Sequence, residues 1–297
     1  MALSHDPLWP RAGGWPDADG EVDAALLGVP TWRTSLSPTG AHATPAAVRE
    51  ALARYSPTLM GPPPVDLNEV LRIADAGDIA EPDGDDGIAA VVARVWELAP
   101  AFVIALGGDN SVTYPVARGA RATGLITFDA HFDLRDGVSN GSPVRRLVED
   151  APDGERIDPT HIVQIGISDF TNSAAYARRA LDWGIRVVTL DEVRRRGLDD
   201  VVAEALEVAG AGADPGIHLD VDVDVCDRSV TPGCPASAPG GLAAWELRAL
   251  TRAVVTDSRV VSADLVEVDA TVDAADGRTV RLTALCVLEM LAALASR

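Results

Sequence analysis

Residues 124–133 read Gly-Leu-Ile-Thr-Phe-Asp-Ala-His-Phe-Asp, an apolar run that leads directly into two acidic side chains and a histidine. A second run of the same kind, residues 216–224, reads Gly-Ile-His-Leu-Asp-Val-Asp-Val-Asp. Short runs rich in Val, Ile and Leu are typical of strands that are buried on both faces of a parallel sheet. The two runs therefore predict an α/β fold with polar side chains at the strand ends.

These polar strand ends predict a metal site. Because side chains alternate between the two faces of an extended strand, we expect Asp129, His131 and Asp133 to point the same way, and likewise the acidic side chains of residues 220–224. Packed carboxylates repel one another unless a cation lies between them. Carboxylates with a minority of imidazole suit divalent ions such as Mn²⁺. The alternative is Asp scattered through an acidic protein, but Asp has low strand propensity, which favours a two-metal site.

Apolar runs alternate with amphipathic stretches along the whole chain. The predicted strands are residues 24–29, 71–74, 101–106, 124–128, 161–167, 186–190, 216–223 and 260–266. The predicted helices are residues 45–54, 86–98, 115–122, 173–183, 199–209, 244–256 and 278–295. This alternation predicts a three-layer α/β/α fold with a mostly parallel sheet of about eight strands. No segment is left for a second domain, so we expect one domain over residues 1–297.

Composition limits the possible partners and the compartment. The formal net charge is -20, and no basic stripe is present to neutralise phosphates, so we expect no nucleic acid partner and no anionic membrane partner. Three widely spaced cysteines, Cys226, Cys234 and Cys286, make neither a disulfide framework nor a metal knuckle. We see no signal peptide and no long uncharged apolar run, and we therefore expect a soluble cytoplasmic protein.

Four segments, matching in order and spacing, resemble the ureohydrolase family, the arginase and agmatinase group of dinuclear manganese hydrolases. They read Gly-Gly-Asp-Asn-Ser at residues 107–111, Asp-Ala-His-Phe-Asp at 129–133, Asp-Val-Asp-Val-Cys-Asp at 222–227 and Asp-Leu-Val-Glu-Val-Asp at 264–269. The resemblance covers nearly the entire chain. It implies an arginase-like fold, two Mn²⁺ ions per chain and a small amidine or guanidine substrate.

The resemblance also implies roles for individual residues. Asp129 and Asp222 correspond to carboxylates that bridge the two metals. His131 and Asp224 would complete the ligands of one ion, and Asp133 those of the other. Glu267 would contact the cationic amidine of the substrate, and Asp133 would accept the proton of the attacking water.

Two departures from the family pattern concern the metal and the proton shuttle. The family usually carries a histidine ligand where this chain has Asn110, and an amide oxygen can ligate a hard cation but is neutral. The loop at residues 136–143 lacks the histidine that arginase-like members use as a shuttle. We interpret His161, which opens a predicted strand, and His218, which lies inside one, as structural histidines.

The sequence beyond the metal ligands resembles the formimidoylglutamase branch of the family, especially residues 129–145 and 165–173. That branch hydrolyses N-formimidoyl-L-glutamate to L-glutamate and formamide in histidine degradation. Such a dicarboxylate substrate needs cationic or amide partners, for which Arg135, Asn140 and Ser142 are the candidates, although Arg135 could equally pair with a surface carboxylate. A guanidine substrate such as agmatine, guanidinobutyrate or arginine, and a metal-binding pseudoenzyme, remain alternatives. The sequence does not decide whether the protein forms a homo-oligomer.

Overall fold

The computed structural model describes residues 6–212 and 216–297. Within them the strands are β1 (Ala24–Val29), β2 (Thr58–Leu59), β3 (Val65–Asp66), β4 (Ile73–Asp78), β5 (Phe102–Gly107), β6 (Gly124–Phe128), β7 (Ile162–Ile167), β8 (Arg186–Thr189), β9 (Ile217–Asp222) and β10 (Val260–Val266). The α-helices are α1 (Thr44–Leu52), α2 (Leu67–Val70), α3 (Gly84–Leu98), α4 (Thr113–Gly119), α5 (Pro143–Glu149), α6 (Ala174–Trp183), α7 (Leu190–Arg196), α8 (Leu198–Ala209), α9 (Ala244–Val255) and α10 (Arg278–Leu294).

Eight strands form one sheet in the order β4-β1-β5-β10-β9-β6-β7-β8. Every neighbouring pair in it is parallel. Strands β2 and β3 form a separate antiparallel pair. Each predicted strand overlaps one strand of the large sheet, so the predicted sheet of about eight strands is confirmed. Among the helices, α2, α5 and α7 were not predicted, and α5 begins with Pro143 inside a segment that was expected to be a loop.

Helices cover both faces of the sheet and give three layers. In β9 the apolar side chains of Ile217, Leu219 and Val221 join the larger core, together with side chains of α1, α7, α8, α9 and α10. On the opposite face, α4 and α5 pack over β6 and β7, while α3 and α4 pack over β1 and β5. Successive side chains of a strand point to opposite faces, so a continuous apolar run such as residues 24–29 supplies the core on both sides of the sheet.

A buried polar band separates the two apolar clusters on the second face. It consists of fully buried residues from four adjacent strands: Thr127, Gln164, His218, Asp220, Ser262 and Asp264. His218 lies 2.8 Å from Ser262 Oγ through Nδ1 and 3.0 Å from Asp264 Oδ2 through Nε2. Both ring nitrogens are thus engaged inside the fold, which supports a structural role for His218. Asp220 lies in this band and precedes Asp222 by two residues on the same face of β9.

Strands β6 and β9 end within one residue of the predicted positions, but the expectation that the ligand segments 129–133 and 220–224 are extended throughout was wrong. Strand β6 ends at Phe128, and Asp133 adopts a left-handed backbone with φ of 51°. Strand β9 ends at Asp222, after which Val223–Val225 forms a 3-10 turn. The cause is local, because Asp129 Oδ1 accepts from His131 N at 2.6 Å and Asp222 Oδ1 accepts from Asp224 N at 2.8 Å. Such hydrogen bonds, two residues along the chain, turn the backbone.

No helix within the described residues combines the length and the apolar character that a membrane span requires.

Candidate active site

The carboxyl ends of four adjacent strands meet at one edge of the sheet and assemble the site. These strands are β5, β10, β9 and β6, which lie side by side at the centre of the sheet. In open parallel sheets, ligands bind just beyond this edge. The structure places all the metal-ligand candidates here: Asn110 follows β5, Asp222 closes β9, Asp224 lies in the turn after it, and Asp129, His131 and Asp133 follow β6. Glu267 follows β10 directly.

Glycine is required where β5 leaves the sheet. A Cβ atom on Gly108 would lie 1.9 Å from the carbonyl oxygen of Thr31. Gly108 N donates to Val29 O at 3.2 Å, and Asp109 N donates to Thr31 O at 3.0 Å. This close approach of two backbones fixes the direction in which Asn110 enters the site.

The first group of candidate ligands contains Asp129, His131 and Asp224. Each offers a ligand atom, and these atoms lie within 4.8 Å of one another. His131 Nδ1 is 2.7 Å from Asp224 Oδ2 and 3.5 Å from Asp129 Oδ1. Although burial alone would lower it, attraction to the two carboxylates raises the pKa of His131 to about 12. In the absence of a metal the imidazole therefore carries a proton where a ligand would need a lone pair.

The second group contains Asp222, Asp224 and Cys234, whose ligand atoms also lie within 4.8 Å of one another. Asp224 belongs to both groups and joins them. Cys234 was not recognised from the sequence, because it lies in the Gly/Pro-rich loop after β9 and carries no ligand spacing. Burial raises the pKa of its thiol well above the usual range.

The residues present fit a bound divalent cation. Asp129 Oδ2 is buried, and no described residue forms a hydrogen bond with it. Burial, and then repulsion by Asp224, raises the pKa of Asp129 to about 7. Burial likewise raises the pKa values of Asp133 and Asp222 well above the usual range, with further repulsion from Asp129 and Asp224, respectively. Such crowding of buried carboxylates is costly unless a cation neutralises it.

Asn110 points its amide into this cluster. Its Nδ2 lies 2.6 Å from Asp133 Oδ2 and 3.4 Å from Asp222 Oδ2, while its Oδ1 accepts from Thr113 Oγ1 at 2.6 Å. The nitrogen and the oxygen of an amide are assigned from the hydrogen bonds around them. Ligation of a metal would require the two atoms to exchange places. The oxygen would then face the carboxylates, and Nδ2 would donate to Thr113.

Glu267 faces the cluster from the end of β10. It is buried and has a left-handed backbone with φ of 62°. Its Oε1 accepts from Asn110 N and from Asn140 Nδ2, each at 2.8 Å. Burial, and then repulsion by Asp109, raises the pKa of Glu267 to about 8, although the two hydrogen bonds oppose this shift. A cationic ligand would favour the ionised carboxylate.

A cavity of about 340 Å³ opens above these side chains. Asp133, Glu267, Arg135 and Asn140 contribute to its walls. Within the described residues the Arg135 guanidinium has no ion-pair or hydrogen-bond partner, and it packs against Gly141, where a Cβ atom would lie 2.8 Å from Arg135 Cδ. Arg135 is the only Arg or Lys that lines this cavity in the described part of the chain.

Ser142 does not reach this cavity, which corrects its interpretation as a substrate contact. The residue is fully buried, and its hydroxyl accepts from Ser139 N at 2.8 Å and donates to Ser139 O at 2.7 Å. Ser142 precedes α5, so its hydroxyl closes the turn that leads into that helix. The local motif did not reveal that this side chain turns inward.

Asp227 fixes the loop after β9. Asp227 Oδ2 accepts from Gly240 N at 2.6 Å, and Asp227 Oδ1 accepts from Ser229 N at 2.8 Å. These bonds hold residues 228–241 against the strand ends, where Cys234 lies beside the carboxylates.

A parallel three-layer fold with a buried carboxylate and imidazole cluster at its strand ends defines a metal-dependent hydrolase. The family model described as "Arginase family" matches residues 22–293, and the chain belongs to that family. It is a hydrolase of carbon-nitrogen bonds in linear amidines.

Relatives with curated names and solved structures agree with this placement. The formimidoylglutamase of Bacillus subtilis strain 168 is 34% identical over 271 residues, covering 85% of this chain and 81% of that protein. A crystal structure of formimidoylglutamase from the same strain has a TM-score of 0.90 at 31% identity, covering 99% of this chain and 94% of that chain. The formimidoylglutamase of Halobacterium salinarum is 36% identical over 293 residues, covering 93% of this chain and 89% of that protein.

A structure of Trypanosoma cruzi formiminoglutamase with Mn²⁺ has a TM-score of 0.83 at 25% identity, covering 93% of this chain and 94% of that chain. Together with the ligand cluster, this likeness supports a metal cofactor for the present chain.

Proposed function

We propose that the protein hydrolyses N-formimidoyl-L-glutamate to L-glutamate and formamide, and that it uses two Mn²⁺ ions. Water adds its oxygen to the formimidoyl carbon, the bond from that carbon to the glutamate nitrogen breaks, and a proton passes to the leaving amine. The proposal extends to this chain the activity named for its relatives.

The distribution of charge in the cavity is the observation that carries the substrate assignment. Glu267, Asp133, Asp222 and Asp224 line the cavity, and so does the guanidinium of Arg135, which has no ion-pair or hydrogen-bond partner within the described residues. The substrate has a cationic amidine at one end and two carboxylates at the other. Its amidine and its carboxylates therefore match the acidic residues and the arginine that line the cavity, whereas agmatine has no carboxylate to pair with Arg135. A guanidinium pairs with a carboxylate through two parallel hydrogen bonds.

The metal ions would be held by Asp129, Asp222, Asp224, His131 and Asp133, with Asn110 as a further candidate. When bound, they lower the pKa of a coordinated water and so supply the nucleophile at neutral pH. Asp133 would accept the proton of this water and return it to the departing amine. Glu267 would hold the amidinium through Oε2, the oxygen with which no described residue forms a hydrogen bond.

A substrate panel tests the proposal directly. The purified protein, loaded with Mn²⁺, is offered formimidoylglutamate, agmatine, guanidinobutyrate and arginine, with formamide, urea and ammonia measured as products. We expect formamide and glutamate in equal amounts from formimidoylglutamate and little urea from the guanidines. The Asp222→Asn variant, prepared in the same way, is the control for contaminating host enzymes.

Two other outcomes would decide against parts of the proposal. Urea from a guanidine with no formamide would reject the substrate assignment and leave a metal hydrolase of the same family. Fewer than about two Mn²⁺ ions per chain in fully active protein, measured by elemental analysis, would reject the dinuclear site.

A further inference from the structure

We propose that Asn140 is a positioning residue for Glu267, and that it links this carboxylate to residues 34–37 at the mouth of the cavity. The inference rests on the proposed function, because it takes Glu267 as the group that holds the substrate amidinium. It replaces the interpretation of Asn140 as a direct contact of the substrate.

Asn140 uses its backbone amide and both side-chain atoms in contacts with the protein. Its Nδ2 donates to Glu267 Oε1 at 2.8 Å, and its Oδ1 accepts from Leu36 N at 3.0 Å. Its backbone N donates to Thr34 O at 3.3 Å. These three contacts fix the orientation of the amide and tie its nitrogen to Glu267. The geometry therefore favours a role through Glu267.

The two donors to Glu267 meet at the same oxygen. Asn110 N and Asn140 Nδ2 both donate to Oε1, and the backbone N of Glu267 donates to Gly108 O at 2.9 Å. The backbone of Glu267 and its oxygen Oε1 are thus fixed, and this also sets the position of Oε2. Loss of either donor would let the carboxylate rotate, and a small rotation misplaces the amidinium relative to the nucleophile.

The chemistry of position 140 explains why an amide suits it. Glu267 lies among like charges, with Asp109 and Asp224 contributing to its repulsion. A second donor at Oε1, beside the backbone N of Asn110, therefore stabilises the ionised carboxylate. A cationic side chain would neutralise Glu267 and compete with the cationic substrate, whereas an amide donates a hydrogen bond and adds no charge.

The amide of Asn140 also connects Glu267 to residues 34–37. Leu36 and Ser37 line the cavity, and Leu36 is more than half exposed at its mouth. The bond from Leu36 N to Asn140 Oδ1 joins this mouth segment to the residue that holds the carboxylate. A substrate that contacts Leu36 therefore contacts a segment that is hydrogen-bonded, through Asn140, to Glu267.

Two substitutions separate the contacts of Asn140. Asn140→Asp keeps an oxygen that can accept from Leu36 N, but it replaces the donor to Glu267 with a second carboxylate. Asn140→Ala removes both side-chain contacts. Asn140→Gln restores an amide on a longer side chain. Steady-state kinetics with formimidoylglutamate are measured for each Mn²⁺-loaded variant, together with metal content and thermal unfolding.

We expect kcat to fall about tenfold or more in Asn140→Asp, further than in Asn140→Ala, with Asn140→Gln recovering part of the loss and metal content unchanged. Wild-type-like kcat in Asn140→Asp would overturn the inference, because the hydrogen bond to Glu267 would then not be needed for turnover. A raised KM with unchanged kcat would also overturn it, in favour of a direct substrate contact. If Asn140→Asp does not fold, kcat and KM are compared between Asn140→Ala and Asn140→Gln instead. Wild-type-like kcat in Asn140→Ala, or a raised KM with unchanged kcat, would then overturn the inference. An inactive wild type would instead reject the proposed function.

Discussion

The Nδ1 atom of His131 lies 2.7 Å from Oδ2 of Asp224, so an imidazole that follows β6 and a carboxylate that follows β9 meet in one buried corner. Their attraction, with that of Asp129, raises the pKa of His131 to about 12 against the effect of burial. The protein without metal therefore holds a proton at the place where a metal would bind. Metal and proton compete for the same nitrogen.

The first prediction follows from this competition. Binding of Mn²⁺ should release at least one proton at pH 7, and the affinity for Mn²⁺ should increase as the pH rises from 6 to 8. Calorimetric titration in buffers of different ionisation enthalpy measures the number of protons. A binding heat that is independent of the buffer would contradict protonation of His131 in the metal-free protein.

The second prediction concerns the stability of the metal-free protein. The pKa values of Asp129 and Glu267 are raised to about 7 and about 8, and that of His131 to about 12, so the folded protein binds more protons than the unfolded chain near neutral pH. Stability contributed by such groups is present at low pH and is lost as the pH rises through their folded-state pKa values. Between pH 5 and pH 8 the metal-free protein should therefore lose stability, with Tm falling by about 5 °C or more.

Thermal unfolding with and without Mn²⁺ checks this dependence. The increase in Tm caused by Mn²⁺ should be larger at pH 8 than at pH 5. High salt, which screens the repulsion of a chain with net charge -20, is the control for the general charge effect. If the Tm of the metal-free protein rises between pH 5 and pH 8, the carboxylate and imidazole cluster does not determine the pH dependence of stability.

The third prediction concerns the carboxylates that are expected to bridge two metals. Asp129→Asn or Asp222→Asn should reduce metal content and lower activity by more than the roughly 10–100-fold typical of groups that only support a ligand. Each substitution removes charge next to both ions. Asp182→Asn, an exposed carboxylate on α6, is the matched control and should leave both quantities unchanged. A bridging variant with full activity and two metals would show that the site is assigned wrongly.

The sheet could be predicted from the sequence because each strand carries its own apolar run, and the four ligand motifs each follow such a run. The turns after Phe128 and Asp222 could not, because side-chain hydrogen bonds from Asp129 and Asp222 to their own backbone end the strands. In a sequence, an Asp that turns the chain looks the same as an Asp that continues a strand.

Contacts between loops that are distant in the sequence were harder still to predict. Cys234 joins the carboxylates because the loop after β9 folds back on the strand ends, held by Asp227 and by bonds such as Gly233 N to Thr279 Oγ1. Asn140 and Ser142 stand two positions apart in one polar loop, but one side chain reaches Glu267 and the other closes its own turn. Residue type alone does not separate these two roles.

The fourth prediction concerns Asn110, whose Nδ2 lies 2.6 Å from Asp133 Oδ2. Asn110→His would place an imidazole nitrogen beside the same carboxylates and offer a stronger metal ligand than an amide. Affinity for Mn²⁺ should rise by about tenfold, or about 1.4 kcal/mol, with activity kept or increased. Calorimetry measures the affinity, and Thr113→Val tests whether the partner of the Asn110 amide affects it. Unchanged affinity in Asn110→His would place position 110 outside the ligand set.

The fifth prediction concerns Arg135 and the carboxylates of the substrate. Loss of one charge-assisted pair costs roughly 1.5–3 kcal/mol. Arg135→Ala should therefore lower kcat/KM for formimidoylglutamate about tenfold to a hundredfold. Arg195→Ala, which removes an exposed arginine on α7 away from the cavity, controls for the loss of a positive charge from an acidic protein. Arg135→Lys keeps the charge but not the paired geometry and should recover only part of the loss.

The same variant separates recognition of carboxylates from damage to the site. Any slow turnover of agmatine, which has no carboxylate, should be unchanged by Arg135→Ala, because the contacts of its cationic end with Glu267 are kept. A fall of equal size for both substrates would mean that Arg135 supports the loop at Gly141 and does not bind the substrate. If wild type hydrolyses agmatine well and formimidoylglutamate not at all, the dicarboxylate assignment fails. The metal hydrolase would stand, since the ligands at the ends of β6 and β9 do not depend on which amidine enters the cavity.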